Sequence, residues 1–155
     1  MTVEERTREV HPLTLFAPEG ARLLMLGSFP PPRERWRMDF FYPNFQNDMW
    51  RIFGLVFFGD KSHFLTDDGR AFREAELRRF LTERGIAIWD TAMEVSRLQG
   101  NASDKFLEVL RPIDLRQTLA LLPSCRAIAV TGQKALDTLL TLVSAPSPAP
   151  KTGEW

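Results

Sequence analysis

The stretch that decides the fold runs from Arg22 to Trp50 and reads RLLMLGSFPPPRERWRMDFFYPNFQNDMW. It begins with an apolar run at residues 23–26, which ends abruptly at Gly27, and three consecutive prolines occupy residues 30–32. A short apolar run bounded by turn formers is typical of a strand that is covered on both faces. In open parallel sheets, ligands bind just beyond the carboxyl ends of such strands. We therefore expect the loop from Gly27 onward to carry the function.

The whole chain has the composition of an ordinary globular protein, with 155 residues, of which 44% are hydrophobic and 26% are charged. This length predicts one core-forming domain. We expect an N-terminal arm at residues 1–20, a single α/β domain at 21–143 and a Pro/Ser-rich tail at 144–155. Because the first residues are charged and no stretch approaches the length of a membrane span, we expect a cytoplasmic protein without membrane contact.

Two more apolar runs predict strands, one at residues 86–89, where Asp90 marks the carboxyl end, and one at residues 127–130. The polar segment 91–111 between them predicts a loop with one or two helical turns at 106–110. An apolar patch at residues 13–16 could pack on the sheet.

Helices are predicted between these strands. A short, mostly buried helix is predicted at residues 47–58, because Met49, Trp50, Phe53, Val56 and Phe57 have the spacing of one helix face. A second helix at about 70–84 would be capped by Thr66, Asp67 or Asp68 and would end at Gly85. A third opens at Asp114, with Gln117 completing a capping box, and stops before Pro123, and a fourth occupies residues 133–143.

Strands that alternate with helices predict a three-layer α/β/α sandwich with a short parallel sheet and right-handed crossovers. We expect the strand order 2-1-3. A sheet of three parallel strands leaves an edge that is costly to expose. We therefore expect a fourth strand that this chain does not contain, or another element that pairs with the exposed edge.

Charge and cysteine content exclude several kinds of site. The net charge is zero, whereas a strongly basic domain is the usual footprint of a nucleic-acid-binding protein. Locally, however, the segment 33–37 is basic, because it contains three arginines, Arg33, Arg35 and Arg37, and a single acidic residue, Glu34. Cys125 has no second cysteine with which to form a disulfide, and two histidines beside it do not make a zinc cluster, so we expect no metal. A phosphate-binding glycine-rich loop is also missing, which counts against a small-nucleotide-binding protein.

Four segments, in order, carry a resemblance to a known family. They are Leu26-Gly27-Ser28-Phe29-Pro30, Phe41-Tyr42 with Asn44 and Asn47-Asp48-Met49-Trp50, Gly85-Ile86-Ala87-Ile88-Trp89-Asp90, and Thr131-Gly132-Gln133-Lys134-Ala135. Together they resemble the uracil-DNA glycosylase superfamily, most closely its hypoxanthine-DNA glycosylase-like branch and bacterial uracil-DNA glycosylase family proteins. Members of that family continue past a Gly-Glu-Trp-like segment into a fourth strand and a Ser/Pro-rich motif, whereas this sequence ends at Gly153-Glu154-Trp155.

The resemblance implies a DNA repair enzyme that hydrolyses the N-glycosidic bond of a deaminated base, uracil or hypoxanthine, after the base has been flipped out of DNA. It implies no cofactor, a partner that is DNA containing a damaged base, and a monomer, although the sheet edge could pair. The alternative is a catalytically inactive nucleic-acid-binding module of the same fold.

The resemblance also implies roles for individual residues. Asn47 takes the place of the catalytic amide, which can position a water molecule but cannot deprotonate it. Asp90 stands where many superfamily members have a base-reading Asn, and Asn44 where the branch more often has His. The substrate-binding set implied by the motifs is Gly27, Ser28, Phe29, Phe41, Tyr42, Asn44 and Asp90. The implied DNA contacts are Pro30, Arg33, Thr131, Gln133 and Lys134.

Each of these residues also has a purely structural interpretation. Gly27 could serve a turn, the aromatic residues could be core, and Asn47 and Asp90 could each cap a helix or turn. Arg33 could lie on a solvated face, and Thr131 could belong to a helix-entry loop. His63 and Cys125 are interpreted as structural or surface residues.

Overall fold

The structure, a computed structural model, describes residues 6–98, 107–144 and 150–154. Within these ranges the chain forms two small sheets and four α-helices, so the mixed α/β fold is confirmed. The strands are β1 (Arg6–Val10), β2 (Leu23–Gly27), β3 (Ile86–Asp90), β4 (Ala92–Leu98), β5 (Leu107–Pro112) and β6 (Ala127–Val130). The helices are α1 (Met49–Phe58), α2 (Glu74–Arg84), α3 (Leu115–Ala120) and α4 (Gln133–Leu142), and residues Arg33–Arg35 form a 3-10 turn.

The parallel sheet is built from the three strands that the sequence predicts. β2 lies at its centre, between β3 and β6. Alternate side chains of β2 enter different apolar clusters: Met25 packs with Trp50 of α1 and Phe80 of α2, whereas Leu24 and Leu26 pack in a second cluster. That second cluster also contains apolar residues of α3 and α4. The central strand is therefore buried on both faces, as its continuous apolar run indicates.

The apolar patch that precedes β2 packs on this sheet, as predicted. Phe16 forms an antiparallel bridge with Ile88 of β3, with N···O distances of 3.0 and 3.1 Å in the two directions. Leu13 and Phe16 also pack against the apolar cluster that contains Trp50. The three-layer arrangement with a further strand, and the division of the chain into arm, domain and tail, stay predictions.

The second sheet is antiparallel, with the order β1-β4-β5, and it corrects the expectation of a loop after Asp90. Residues 6–10 of the expected arm form an edge strand, and the expected loop after Asp90 consists largely of β4 and β5. The polar residues of this segment pair across the strands, and Glu94 of β4 forms ion pairs with Arg8 and Arg111. A polar sequence therefore wrongly indicated a loop here. The bond from Arg8 lowers the pKa of the Glu94 carboxyl. Of the helical turn predicted at 106–110, residues 107–110 are strand and Phe106 lies outside the described residues.

Helix α1 forms where it is predicted but is not mostly buried, so that expectation is wrong. Trp50 and Gly54 are its buried residues, whereas Val56 is 69% exposed and Phe57 41% exposed. A Cβ atom on Gly54 would lie 2.4 Å from the backbone oxygen of Asp60, so the helix packs closely along its Trp50 and Gly54 face. Apolar residues surround the whole of α1, and spacing alone could not show which of them face the core.

Helix α2 begins at Glu74, later than predicted, because the candidate caps form a local turn instead. Thr66 Oγ1 donates to Asp68 at 2.6 Å, and the backbone N–H of Arg70 donates to the same carboxylate. The hydrogen bond from Thr66 lowers the pKa of Asp68. The predicted end of α2 is confirmed, since Gly85 follows it with a φ of 70°, the left-handed conformation that favours glycine.

The last two helices agree with the sequence. The carboxylate of Asp114 accepts the backbone N–H of Gln117 at 3.0 Å and caps α3, which ends before Pro123. Helix α4 starts at Gln133, directly after the loop that follows β6. In the described ranges, no helix is both long enough and apolar enough to cross a membrane.

Candidate active site at the carboxyl ends of the parallel strands

A cavity of about 420 Å³ opens where β2, β3 and β6 end. Its lining comes from four segments of the chain. The lining residues are Gly27, Ser28, Phe29, Pro30, Pro31, Phe41, Tyr42, Pro43, Asn44, Asn47, Asp90, Thr131, Gly132 and Ala135. The structure thus brings together all of the substrate-binding residues expected from the sequence, with Asn47, Pro30 and Thr131.

Gly27, the last residue of β2, forms the floor of this cavity. A Cβ atom here would stand 2.6 Å from Asp90 Oδ1, 3.1 Å from the Tyr42 hydroxyl and 3.4 Å from Thr131 Oγ1. The first of these distances is shorter than real Cβ atoms tolerate. Three polar side chains converge on the backbone of residue 27, so glycine is needed there. A turn alone would not impose this packing requirement.

The loop after Gly27 is fixed by hydrogen bonds to the segment after β3. The carbonyl of Gly27 accepts the backbone N–H of Thr91 at 2.8 Å and its hydroxyl at 3.1 Å, and the carbonyl of Ser28 accepts the N–H of Ala92 at 3.1 Å. In a trans peptide the next N–H points opposite to the carbonyl. The N–H groups of Ser28 and Phe29 therefore point away from the segment that contains Thr91 and Ala92.

The aromatic wall combines core packing with exposure to the cavity. Phe29 is 8% exposed and packs with Val95 and Leu107, and Phe41 is 4% exposed and contacts Trp89 edge-on. Both rings are thus core residues that also line the cavity. Only Tyr42 of this wall is half-buried.

Tyr42 has an unusual backbone conformation. Its φ is 51°, and it is the one non-glycine residue with positive φ in the described part of the chain. Its hydroxyl lies 2.8 Å from Thr131 Oγ1, and Thr131 Oγ1 in turn donates to the carbonyl of Leu26 at 3.3 Å. Tyr42 is therefore the donor to Thr131. Backbone strain of this kind clusters at functional sites.

Asn47 lies beside the cavity at the entry to α1. Its Oδ1 accepts the backbone N–H of Met49 at 2.9 Å, but the N-cap residue of α1 is Asp48, so the interpretation of Asn47 as the N-cap of its helix is wrong. A carbonyl oxygen has two lone pairs, and one of them remains for a second donor. Asn44 lines the cavity as well, and its backbone carbonyl accepts the N–H of Asn47 at 3.1 Å.

Asp90 ends β3 and is 5% exposed. Among the described residues that line the cavity it is the one charged side chain, because the others carry neither a carboxylate nor a basic group. Its Oδ2 lies 2.7 Å from His11 Nε2, and its Oδ1 lies against Gly27. A carboxylate that is bonded to an imidazole through one oxygen can still accept a hydrogen bond from a ligand in the cavity through the other oxygen.

His11 is a site residue that the sequence analysis missed. It follows β1, and its backbone N–H donates to the carbonyl of Met93 at 2.8 Å. This bond continues the pairing of β1 with β4, whose last pair is Val10 with Glu94. The missed antiparallel sheet thus brings His11 to Asp90, 79 residues away. No spacing rule links two residues so far apart. The signal would have been an edge strand predicted at residues 6–10.

Arg97 of β4 is a second residue that the sequence analysis missed, and it anchors the proline loop. Its side chain is 2% exposed, donates to the carbonyl of Pro30 at 2.6 Å and lies 2.7 Å from the carboxylate of Glu9. The antiparallel sheet therefore holds the loop that carries Phe29 and Pro30 against the cavity.

Three of the expected DNA contacts do not line the cavity. Arg33 is exposed, forms an ion pair with Asp39 and lies over the ring of Trp36. It borders a neighbouring groove that shares residues 29–31 with the cavity wall. Gln133 donates to Asp137 at 2.8 Å within the first turn of α4, where Lys134 also lies.

Comparison with solved structures identifies a similar fold. The chain is similar to the solution NMR structure of a "putative Uracil DNA glycosylase" from Methanosarcina acetivorans, with a TM-score of 0.63 and 23% sequence identity. The match covers 87% of this chain and 78% of that chain. No protein-family model and no curated protein matches the chain. At this level of identity the likeness shows the fold, and the function has to be argued from the cavity.

Proposed function

We propose that this chain is a DNA glycosylase that hydrolyses the N-glycosidic bond of a deaminated base, uracil or hypoxanthine, flipped out of DNA. The observation that carries the proposal is the cavity at the carboxyl ends of the strands, where the carboxylate of Asp90 and the amide of Asn47 lie with the aromatic wall. The similar fold of the Methanosarcina acetivorans protein supports it.

The cavity suits an extruded nucleobase. Its volume of about 420 Å³ lies in the range of small-molecule sites. A base that leaves the stack costs a few kcal/mol, which a pocket recovers through aromatic contacts and hydrogen bonds to the base edge. Phe29, Phe41 and Tyr42 supply the contacts, and Asp90 supplies an acceptor for the edge.

The carboxylate of Asp90 matches the chemical change that deamination makes. Ring nitrogen N3 of cytosine and N1 of adenine are acceptors, whereas uracil N3 and hypoxanthine N1 carry a hydrogen. An ionised carboxylate can only accept hydrogen bonds. Asp90 would therefore bind the deaminated edge and repel the lone pair of the unmodified one.

The reaction needs a stabilised base anion and a positioned water molecule. The bond from the sugar C1′ to the base nitrogen breaks, and both of its electrons stay on the base, leaving a sugar with oxocarbenium character. The N–H groups of Ser28 and Phe29 are the candidates to stabilise the anion. Water held by Asn47 then forms the new C1′–O bond, and the proton it releases ends on the base or in solvent.

The rest of the expected residues would contact the DNA strand. Pro30 and Thr131 lie in the lining and would contact the nucleotides next to the flipped base. Arg33, Gln133 and Lys134 lie outside it and would contact phosphates, which predicts salt-sensitive binding.

The test is an excision assay on oligonucleotides that carry a single uracil or hypoxanthine, in single- and double-stranded form. The proposal predicts release of the free base and an abasic site in an intact strand. Salt-sensitive binding without any base release would instead favour the nucleic-acid-binding module, because that alternative keeps the fold and lacks the chemistry.

A further inference from the structure

We propose that His11 is a positioning residue that holds the carboxylate of Asp90 as an acceptor for the N–H of the target base. The proposal rests on the proposed glycosylase function. It adds a residue outside the cavity lining and a reason why the pocket would select bases with a ring N–H.

The hydrogen bonds of the His11 ring fix its tautomer. The backbone N–H of Leu13 donates to His11 Nδ1 at 3.1 Å, so this nitrogen carries a lone pair. The proton of the neutral ring is then on Nε2, which lies 2.7 Å from Asp90 Oδ2. A fully protonated ring would place an N–H against the N–H of Leu13. The geometry therefore favours a neutral ring that donates to Asp90.

Packing prevents the ring from turning away. The side chain of His11 is 3% exposed and that of Asp90 is 8% exposed. The His11 ring centroid lies 4.6 Å from that of Trp89 and 5.3 Å from that of Phe29. With Oδ2 held by His11, Oδ1 is left on the floor of the cavity beside Gly27.

The other charged groups near this pair are already engaged. Glu9 of β1 pairs with Arg97, and Glu94 of β4 pairs with Arg8 and Arg111. Two uncharged groups also lie beside Gly27. They are the hydroxyls of Tyr42 and Thr131, which form a hydrogen bond with each other. Among the described residues, His11 is thus the ionisable side chain that bonds directly to Asp90.

Loss of the His11 donor would change what Asp90 presents to the base. Without that donor, Oδ2 loses the hydrogen bond that fixes the orientation of the carboxylate. Oδ1 is then no longer held where it can accept the ring N–H of uracil or hypoxanthine.

The experiment compares His11→Phe, which keeps the aromatic packing and removes the donor, with His11→Gln, whose side-chain amide restores a donor near the position of Nε2. His63→Phe is the matched control, since His63 stacks on Phe58 with centroids 3.6 Å apart and does not line the cavity. Base excision is measured at pH 7 for each variant, with kcat and KM determined separately, and folding is checked by circular dichroism.

We expect His11→Phe to lose about tenfold or more in excision at pH 7, because hydrogen bonds to charged groups are stronger than those between neutral groups. His11→Gln should keep most of the activity, and His63→Phe should match the wild type. A folded His11→Phe protein with wild-type activity would overturn the proposal, as would a loss that His11→Gln does not restore. A wild-type protein that excises nothing would instead refute the proposed function.

Discussion

The backbone of Gly27 lies directly against the carboxylate of Asp90, so that a Cβ atom at residue 27 would stand 2.6 Å from Oδ1. The two residues are register partners at the carboxyl ends of β2 and β3. The close approach ties the end of the central strand to the one charged group among the described residues that line the cavity. Any side chain at residue 27 would therefore displace the carboxylate of Asp90.

Gly27→Ala should therefore disrupt the site. The methyl group would push Asp90 away from Gly27 and weaken its bond to His11. We expect a loss of about 1–3 kcal/mol in the free energy of unfolding, typical of overpacking, and at least about a hundredfold loss in excision. Urea denaturation of Gly27→Ala, Asp90→Ala and the double variant checks the cause. If the clash is responsible, the double variant is more stable than the sum of the two single effects, whereas strict additivity would contradict it.

Asn47 has two assigned roles that substitutions can separate. Asn47→Ala removes both the acceptor for the Met49 N–H and the water-positioning amide, so it should lose about 0.5–1.5 kcal/mol in stability and about a hundredfold in excision. Asn47→Asp keeps an acceptor for the Met49 N–H and should keep the stability.

The matched control for Asn47→Ala is Asp114→Ala, which removes the cap of α3 away from the cavity. It should lose similar stability and no excision, both measured well below the unfolding temperature. Equal excision rates for Asn47→Ala and wild type would show that Asn47 only accepts the Met49 N–H and takes no part in the reaction.

Asp90→Asn should weaken excision by about 10- to 100-fold without a comparable loss of stability. His11 Nε2–H would bond to the amide oxygen, which leaves the NH₂ group toward the cavity, and a donor there opposes the ring N–H of the base. Asp114→Asn is the control, because Asn and Asp cap helices about equally well. Unchanged excision of both uracil and hypoxanthine by Asp90→Asn would show that Asp90 does not read the base edge.

Arg97 is expected to matter for stability as well as for the cavity wall. Arg97→Met removes the Arg97 donor from the carbonyl of Pro30 and the ion pair with Glu9, at a cost of about 2–4 kcal/mol. Arg79→Met, which breaks an exposed pair with Glu76, should cost about 0–1 kcal/mol. Urea denaturation compares the two. Equal midpoints for both variants would mean that the Arg97 contacts add nothing to the anchoring of the loop.

Local sequence signals predict the parallel sheet and most of the cavity. β2, β3 and β6 are continuous apolar runs, and parallel strands place their carboxyl ends at one edge, so Gly27, Asp90 and Thr131 could be expected together. The antiparallel sheet could not be found in this way, because Glu94, Arg97 and Arg111 make its strands look like polar loop. His11 was missed for the same reason, since only the pairing of β1 with β4 brings it to Asp90. The buried face of α1 could not be predicted either, because apolar residues occur on all sides of that helix.

The most direct test of the account is the identity of the product released from an oligonucleotide that contains one uracil or one hypoxanthine. The account predicts free uracil or hypoxanthine by mass spectrometry, in an amount equal to the abasic sites formed, with release reduced by Asn47→Ala and Asp90→Asn. The protein used should be the wild-type chain with its circular dichroism showing a folded state. A folded chain that releases neither base from either single- or double-stranded DNA would contradict the account.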